Sequence, residues 1–472
     1  MKKIILGLSI VSAGLFTSCS DFLQEEPKLS QSNELTFAEF DYLDKAGAAL
    51  YGMMQSYLWY DGQFILQSEL RAGNAKNPTS MSGSGRYRND TQWNYNESST
   101  SSLWSYAYYT IARANNVINN LEGVAGGEVS QQQVNNLKAE ALFIRALCHF
   151  DLVITYCQPY NNQTDGNLGV PLVLVTKNGK PARSPKNEVY DQIVIDLLDA
   201  ESLIADNYTR ADATDKAAVV SKQAIQALLS RVYLYMEQWQ KAADYATKVI
   251  NSGKYSLTGT NSYVGMFSAA TAPAGCEIIL EVYGSDKNEY WDDSGWTHLS
   301  YLTSLDGSGD ICATKDLYNL FEDGDVRKDF FEQNENDYFY VKYVGKAGAN
   351  PRQSNVPLLR LSEMYLNRAE AIVNGASISG VSAESDLKEL ATKRGATPSA
   401  ATKTGVFTDR RKELAFEGHI VYDYARTNTS ISRTDFDELN NKDVPYPSYM
   451  WAMPIPKREL DVNENMVQNP GY

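Results

Sequence analysis

The stretch SKQAIQALLSRVYLYMEQWQKAADYATKVI, residues 221–250, decides the reading of the fold. Ile225, Leu229, Val232 and Met236 recur at helical spacing; Glu237-Gln238-Trp239 interrupts them; Ala242, Tyr245, Ala246 and Val249 resume the period. Two helices around a tight turn, with small residues alternating with large ones, form the pattern of a tetratricopeptide helix pair. The small residues let two backbones approach, and the large ones fill the groove of the next pair. Such a unit needs neighbours to cover its apolar faces.

Working outward, the neighbours are there. Leu137, Ala141, Ile144, Cys148, Leu152 and Thr155 make one helical stripe, and Phe143, Leu147, Phe150 and Ile154 a second on the same segment. A helix apolar on two faces is sandwiched between others. Leu358, Leu361, Tyr365, Ala369 and Ile372 carry the same period through 357–374, and further helices are predicted near 36–57, 102–121, 187–205, 383–394 and 408–418. Long polar excursions at 58–101 and 252–357 separate them, with β-like pieces at 277–283 and 338–344. The predicted architecture is mainly α: helix pairs in a superhelix, a loop-rich face and minor β pieces.

The N-terminus reads as an address. Lys2 and Lys3 precede an apolar run from Ile4 to Phe16 that closes on Thr17-Ser18-Cys19. This is a secretory signal of lipoprotein type, cut before Cys19, which would carry the acyl chains. The expected organisation is signal peptide 1–18, lipidated tether 19–35 and a single domain 36–472, whose N-terminal part runs to about 255. With 43 Lys+Arg against 58 Asp+Glu, the net charge of −15 argues against a sequence-independent nucleic-acid binder. The 31 Tyr and 7 Trp beside 3 His favour a contact surface over a catalytic centre.

No HExxH, GxSxG, Walker loop or GxGxxG occurs, and no CxxC pair forms a zinc knuckle, so no cofactor, metal or catalytic residue is expected. Asp306-Gly-Ser-Gly-Asp310 and Glu322-Asp-Gly-Asp325 read as Asp-capped turns rather than calcium loops. Glycoside hydrolysis stays open as another class, because carboxylates are plentiful and their separation is not readable. Arg145, Glu370, Glu413 and Glu417 fall inside apolar helices, where charges persist when paired, and they are expected to form inter-helix ion pairs.

A series of motifs then follows in order. It comprises Arg113-Ala-Asn115, the helix Ala139-Glu-Ala-Leu-Phe-Ile-Arg145-Ala-Leu-Cys-His-Phe-Asp151, Gly169-Val-Pro171-Leu and the 221–250 pair. After these come Leu359-Arg360-Leu-Ser-Glu363 through Ala369-Glu370, Arg410-Arg-Lys-Glu413-Leu-Ala-Phe-Glu417-Gly418, Tyr422-Asp423 and the terminus Gln468-Asn-Pro-Gly-Tyr472. This order resembles the SusD/RagB family of outer-membrane nutrient-binding lipoproteins. The resemblance implies a SusD-like right-handed superhelix, anchored through Cys19 to outer-membrane lipid at the cell surface. It also implies a SusC-type TonB-dependent transporter as partner and an oligosaccharide as cargo, or a peptide in members of RagB type.

A neutral sugar offers C–H faces to aromatic planes and hydroxyls to polar side chains. Trp93 and Tyr95 lie in a Ser/Asn/Gly-rich stretch where a buried role is hard to arrange, whereas the rings from Trp104 through Tyr109 lie on a helix and are expected in the core. Tyr290, Trp291 and Trp296 form a second loop cluster. By family position, Arg71, Asn74 and Trp93 fall in one glycan-contact region, and Tyr290, Trp291 and Trp296 in another. Arg71, Lys76, Arg86 and Arg88 add local positive charge, read as solvated surface or a preference for an anionic sugar.

Overall fold

A computed structural model describes residues 39–79, 85–98, 103–285, 298–346, 353–435 and 441–472. The longer helices are α1 (Phe40–Met54), α2 (Gln63–Ala72), α3 (Leu103–Asn119), α4 (Gln131–Tyr156), α5 (Lys186–Leu203), α6 (Lys222–Tyr235) and α7 (Trp239–Ile250). They continue as α8 (Thr260–Phe267), α9 (Leu361–Val373), α10 (Ala383–Arg394), α11 (Lys403–Glu413) and α12 (Ile420–Arg426). Short strands β1 (Ala75–Lys76), β2 (Ile278–Val282), β3 (Cys312–Ala313), β4 (Phe331–Asn334), β5 (Asp337–Tyr340) and β6 (Val356–Arg360) complete the scaffold. The result is a helical superhelix with minor sheets.

The predicted pair at 221–250 is α6 and α7. Ser221 caps α6 by accepting from Ala224 N–H, and Glu237 makes the turn in the left-handed region (φ 56°). Ala242, Ala243 and Ala246 are buried where the helices meet, and Ser230 Oγ donates to the Ala242 carbonyl at 2.9 Å. The pair does stack on neighbours: α5 packs on α6, α9 on α7, and α10 and α11 on α9. On the N-terminal side α4 lies between α3 and α5, so both of its apolar stripes are covered and Cys148 is fully buried as a small core residue. A Ser130–Gln133 capping box fixes where α4 starts.

Three differences from the sequence reading have local causes. The period assigned to 357–374 spans two elements: 356–360 is β6, paired antiparallel with β2, and the helix starts only at Leu361. A buried strand and a buried helix look alike over an apolar run this short. The excursion 58–101 contains α2, whose buried face includes Glu69 and Arg71 as well as apolar residues. Tyr109, expected in the core, is 52% exposed beneath Arg113, while Trp104 on the same helix is buried.

The charges inside helices are paired, as burial requires. Arg145 reaches Asp196 at 2.7 Å, Glu370 meets Arg426, and Glu417 takes Arg360 and Lys342. Asp325 accepts from Arg327 N–H and so caps the turn at 326–330, in line with its reading as a capping residue. Cys148, Cys157, Cys276 and Cys312 are free thiols.

Candidate functional site

Two stretches far apart in sequence, 74–98 and 298–313, meet through the β1–β3 ladder, where Ala75 faces Ala313 and Lys76 faces Cys312. Gly73 makes the entry into β1 possible. Its backbone is left-handed (φ +82°), and a Cβ there would stand 2.8 Å from Arg433 Cγ. Beyond the ladder Asn77 Nδ2 donates to the carbonyls of Arg86 (3.1 Å) and Asp310 (3.2 Å), clamping the two loops together.

The turn after α1 closes the third side. Gln55 donates to the Ser285 carbonyl at 3.1 Å, His298 Nδ1 is bonded to the Asp61 carboxylate, and Leu299 N–H donates to Asp61 O at 3.2 Å. Both residues flanking 286–297 are therefore fastened to one turn. Half-buried Tyr57, Tyr87 and Arg86 lie together on the face between these anchors, with buried Asp310 Oδ2 3.9 Å from Arg86 Nε, and Tyr301, also half-buried, follows His298 on the fastened segment. Burial, then the neighbouring Asp90 carboxylate, raises the Tyr87 phenol above its ordinary value, so it stays a neutral hydroxyl.

The residues singled out in the first region lie under this face rather than on it. Trp93 is 2% exposed: its indole N–H donates to the Arg71 carbonyl at 2.8 Å, and its ring packs edge-on against Trp451 at 5.3 Å. Arg71 is 1% exposed, with its guanidinium 4.4 Å over the Trp93 ring and 5.5 Å over Tyr95. Asn74 is fully buried and spent at both ends, donating to Glu69 (2.7 Å) and accepting from Arg411 (2.7 Å). The expectation that Trp93, Arg71 and Asn74 face a ligand is corrected on this geometry. Trp451, far along the chain, covers the indole, and internal partners take the Trp93 N–H, both ends of the Asn74 amide and Arg71 Nη2.

Beneath the face, burial raises the Asp90 carboxyl to about 7, with Arg71 only partly opposing it. Lys76 is buried and paired with Asp435 at 3.1 Å, so its charge does not reach a ligand. Tyr290, Trp291, Trp296 and Cys19 lie outside the described residues. Tyr301 was not singled out from sequence; its only mark there is a place five residues after Trp296.

A catalytic arrangement does not emerge from the other polar groups. His149 and His419 are buried, and burial holds them near 3 and 4, so both are neutral imidazoles. Among the described residues no group of three His, Cys, Asp or Glu is placed to hold a metal ion. No helix among them is long and apolar enough to cross a membrane.

Residues 21–234 match the family model described as "Starch-binding associating with outer membrane", and residues 330–472 match the model of the SusD family. SusD-like protein P2 of Formosa agariphila is 26% identical, with all of both chains aligned. The starch-binding protein SusD of Bacteroides thetaiotaomicron is 23% identical over 81% of this chain and 80% of its own. Among solved structures, a SusD superfamily protein from Bacteroides vulgatus superposes with a TM-score of 0.81 at 28% identity, covering 92% of this chain and 99% of that one. Two family models on one chain, a relative aligned end to end and a shared helical scaffold agree: the chain belongs to the SusD family of outer-membrane-associated, carbohydrate-binding proteins.

Proposed function

We propose that this protein is a cell-surface lipoprotein that captures an oligosaccharide on its loop-built face and passes it, unaltered, to a SusC-type TonB-dependent transporter. One observation carries the reading: the flanks of 286–297 and the 74–98 loop are clamped together through Gln55, Asp61 and Asn77, beside half-buried Tyr57 and Tyr87. Phenol rings above a rigid platform suit a sugar's C–H faces, and their hydroxyls suit its edge. Tyr290, Trp291 and Trp296, which lie in sequence between Ser285 and His298, are assigned as the principal contacts. Arg71, Asn74 and Trp93 serve as the packed base beneath. Cys19 is the acylated residue, and its acyl chains together give stable anchoring.

A ring covering ~60 Å² at ~25 cal/mol/Å² contributes roughly 1.5 kcal/mol, which suits cargo that must be released. The test is a calorimetric titration of the form lacking residues 1–19 against a panel of starch, β-glucan, xylan and mannan oligosaccharides. One panel member should bind with its reducing ends unchanged, and Trp291→Ala or Trp296→Ala should weaken it about tenfold. Release of new reducing ends, or binding indifferent to both substitutions, would overturn the proposal. Uptake of a peptide mixture with no saccharide response would favour a cargo of RagB type.

A further inference from the structure

A cavity of about 450 Å³ opens among helix ends in the repeat region and shares no residue with the loop face. That volume lies within the range of small-molecule sites. Two half-buried rings line it: Trp239 at the first turn of α7, and Phe407 on α11, the latter fixed edge-on by Tyr424 at 4.8 Å. The floor holds Glu370 and Arg426, with Nη2 donating to Oε2 at 2.8 Å; behind them Asp423 takes Arg426 and Arg410, and Arg410 also reaches Glu370, so two guanidiniums meet two carboxylates. With that network neutral, exposed Glu237 and Lys403 balance each other on the rim.

The rim carries acceptors and donors together: threonine hydroxyls and the Glu237 carboxylate beside Lys403 and the amides of Asn374 and Asn428. Thr427 Oγ1 donates to the Asp423 carbonyl at 2.7 Å, and the Thr427 and Thr429 hydroxyls are bonded to each other at 3.0 Å, each keeping acceptor capacity. Glu237 accepts from Asn161 through Oε1, leaving Oε2 to accept another donor. Apolar planes, paired donors and acceptors and no net charge call for a ligand with a C–H face, several hydroxyls that donate and accept, and no charge.

We propose that this cavity is a second saccharide site, taking a short neutral oligosaccharide at the helix ends while the loop face holds another part of the cargo. The inference rests on the glycan-binding reading above, and the test separates the two. Deuterium exchange of the full chain, in a detergent without a sugar headgroup, is followed with maltoheptaose and with β-glucan, xylan and mannan hexasaccharides as probes. At least one probe should protect 236–240 and 426–430, and Trp239→Ala should raise the concentration needed about tenfold. Thr429→Val, at an exposed position, serves as the second variant and should weaken protection in the same segments without altering the fold. Protection confined to 55–98 and 298–313 overturns the second site while glycan binding stands. Protection nowhere overturns both readings. Protection of the cavity by a tryptic peptide mixture and by no saccharide reassigns it to peptide.

Discussion

Arg360, at the end of β6, neutralises three carboxylates: it donates to Glu277, to Glu413 at 2.9 Å and to Glu417 at 2.6 Å. Arg394 and Arg327 converge on the same Glu413, at 2.7 and 3.1 Å. Burial alone would raise the Glu413 carboxyl, but Arg394, then Arg360, hold it well below the usual carboxylate range. That Glu413 and Glu417 must be paired was readable in the sequence, since a charge within an apolar helix has no other stable state. Their partners were not readable, because Arg360 lies 53 residues from Glu413 along the chain. Removing one carboxylate strands buried guanidinium charge, so Glu413→Gln should lower unfolding stability by about 3–5 kcal/mol. Exposed Glu464→Gln, whose carboxylate meets Lys180 at 3.5 Å, should change it by less than about 0.5 kcal/mol. Urea unfolding compares the two; equal midpoints would refute the account of the cluster.

At the level of elements, strongly periodic segments were legible and short ones were not. The pair α6–α7 and the helix α4 declare themselves because each has an apolar period and a cap within its own sequence. The split between β6 and α9 is imposed from outside, by β2 pairing across Val356–Arg360. The helix α2 also depends on context, since its buried Glu69 accepts from Asn74 and Gly418. Its end at Gly73 sets the register of β1 and hence the position of the loop face. Gly73→Ala meets both a left-handed backbone and the Arg433 side chain, so a loss of about 1–3 kcal/mol is expected. Gly123→Ala has comparable φ (+77°) with nothing within 4 Å and should cost about 1 kcal/mol. Thermal melts of the two variants test the difference; if Gly73→Ala is the milder change, the steric role of that position is wrong.

Across the whole molecule, the two loop regions were named only through the family resemblance, and the inward turn of Trp93 was not legible at all. Loop composition marks a segment as polar, but the ring that covers Trp93 comes from Trp451, and no local pattern announces that contact. The same burial that hides these side chains sets how stability depends on pH. Burial lifts four carboxyls, Glu69, Asp90, Glu140 and Asp151, to about 7, from ordinary values near 4. Between about pH 4.5 and 6.5 the folded chain therefore holds roughly four protons that the unfolded chain has released. Two buried histidines act in the opposite sense: His149 and His419 stay neutral when folded but take up protons when unfolded below about 6.5. These groups leave about two extra protons on the folded chain, and Glu281, raised well above its ordinary value by burial, adds another in the same sense, so stability falls as pH rises, by roughly 3–4 kcal/mol per unit. Above 6.5 the histidines cease to oppose the carboxyls, and the decline steepens until those carboxyls ionise near 7. The melting temperature should accordingly drop from pH 5 to pH 7.5 and fall more gently beyond it. Replacing Asp151 with Asn should flatten that slope, because Trp59 and Tyr60 keep a neutral acceptor and one of the four protons no longer takes part. A melting temperature that rises between pH 5 and 7.5, or a slope indifferent to Asp151→Asn, would show that these carboxyls are hydrated and ionised rather than buried as acids.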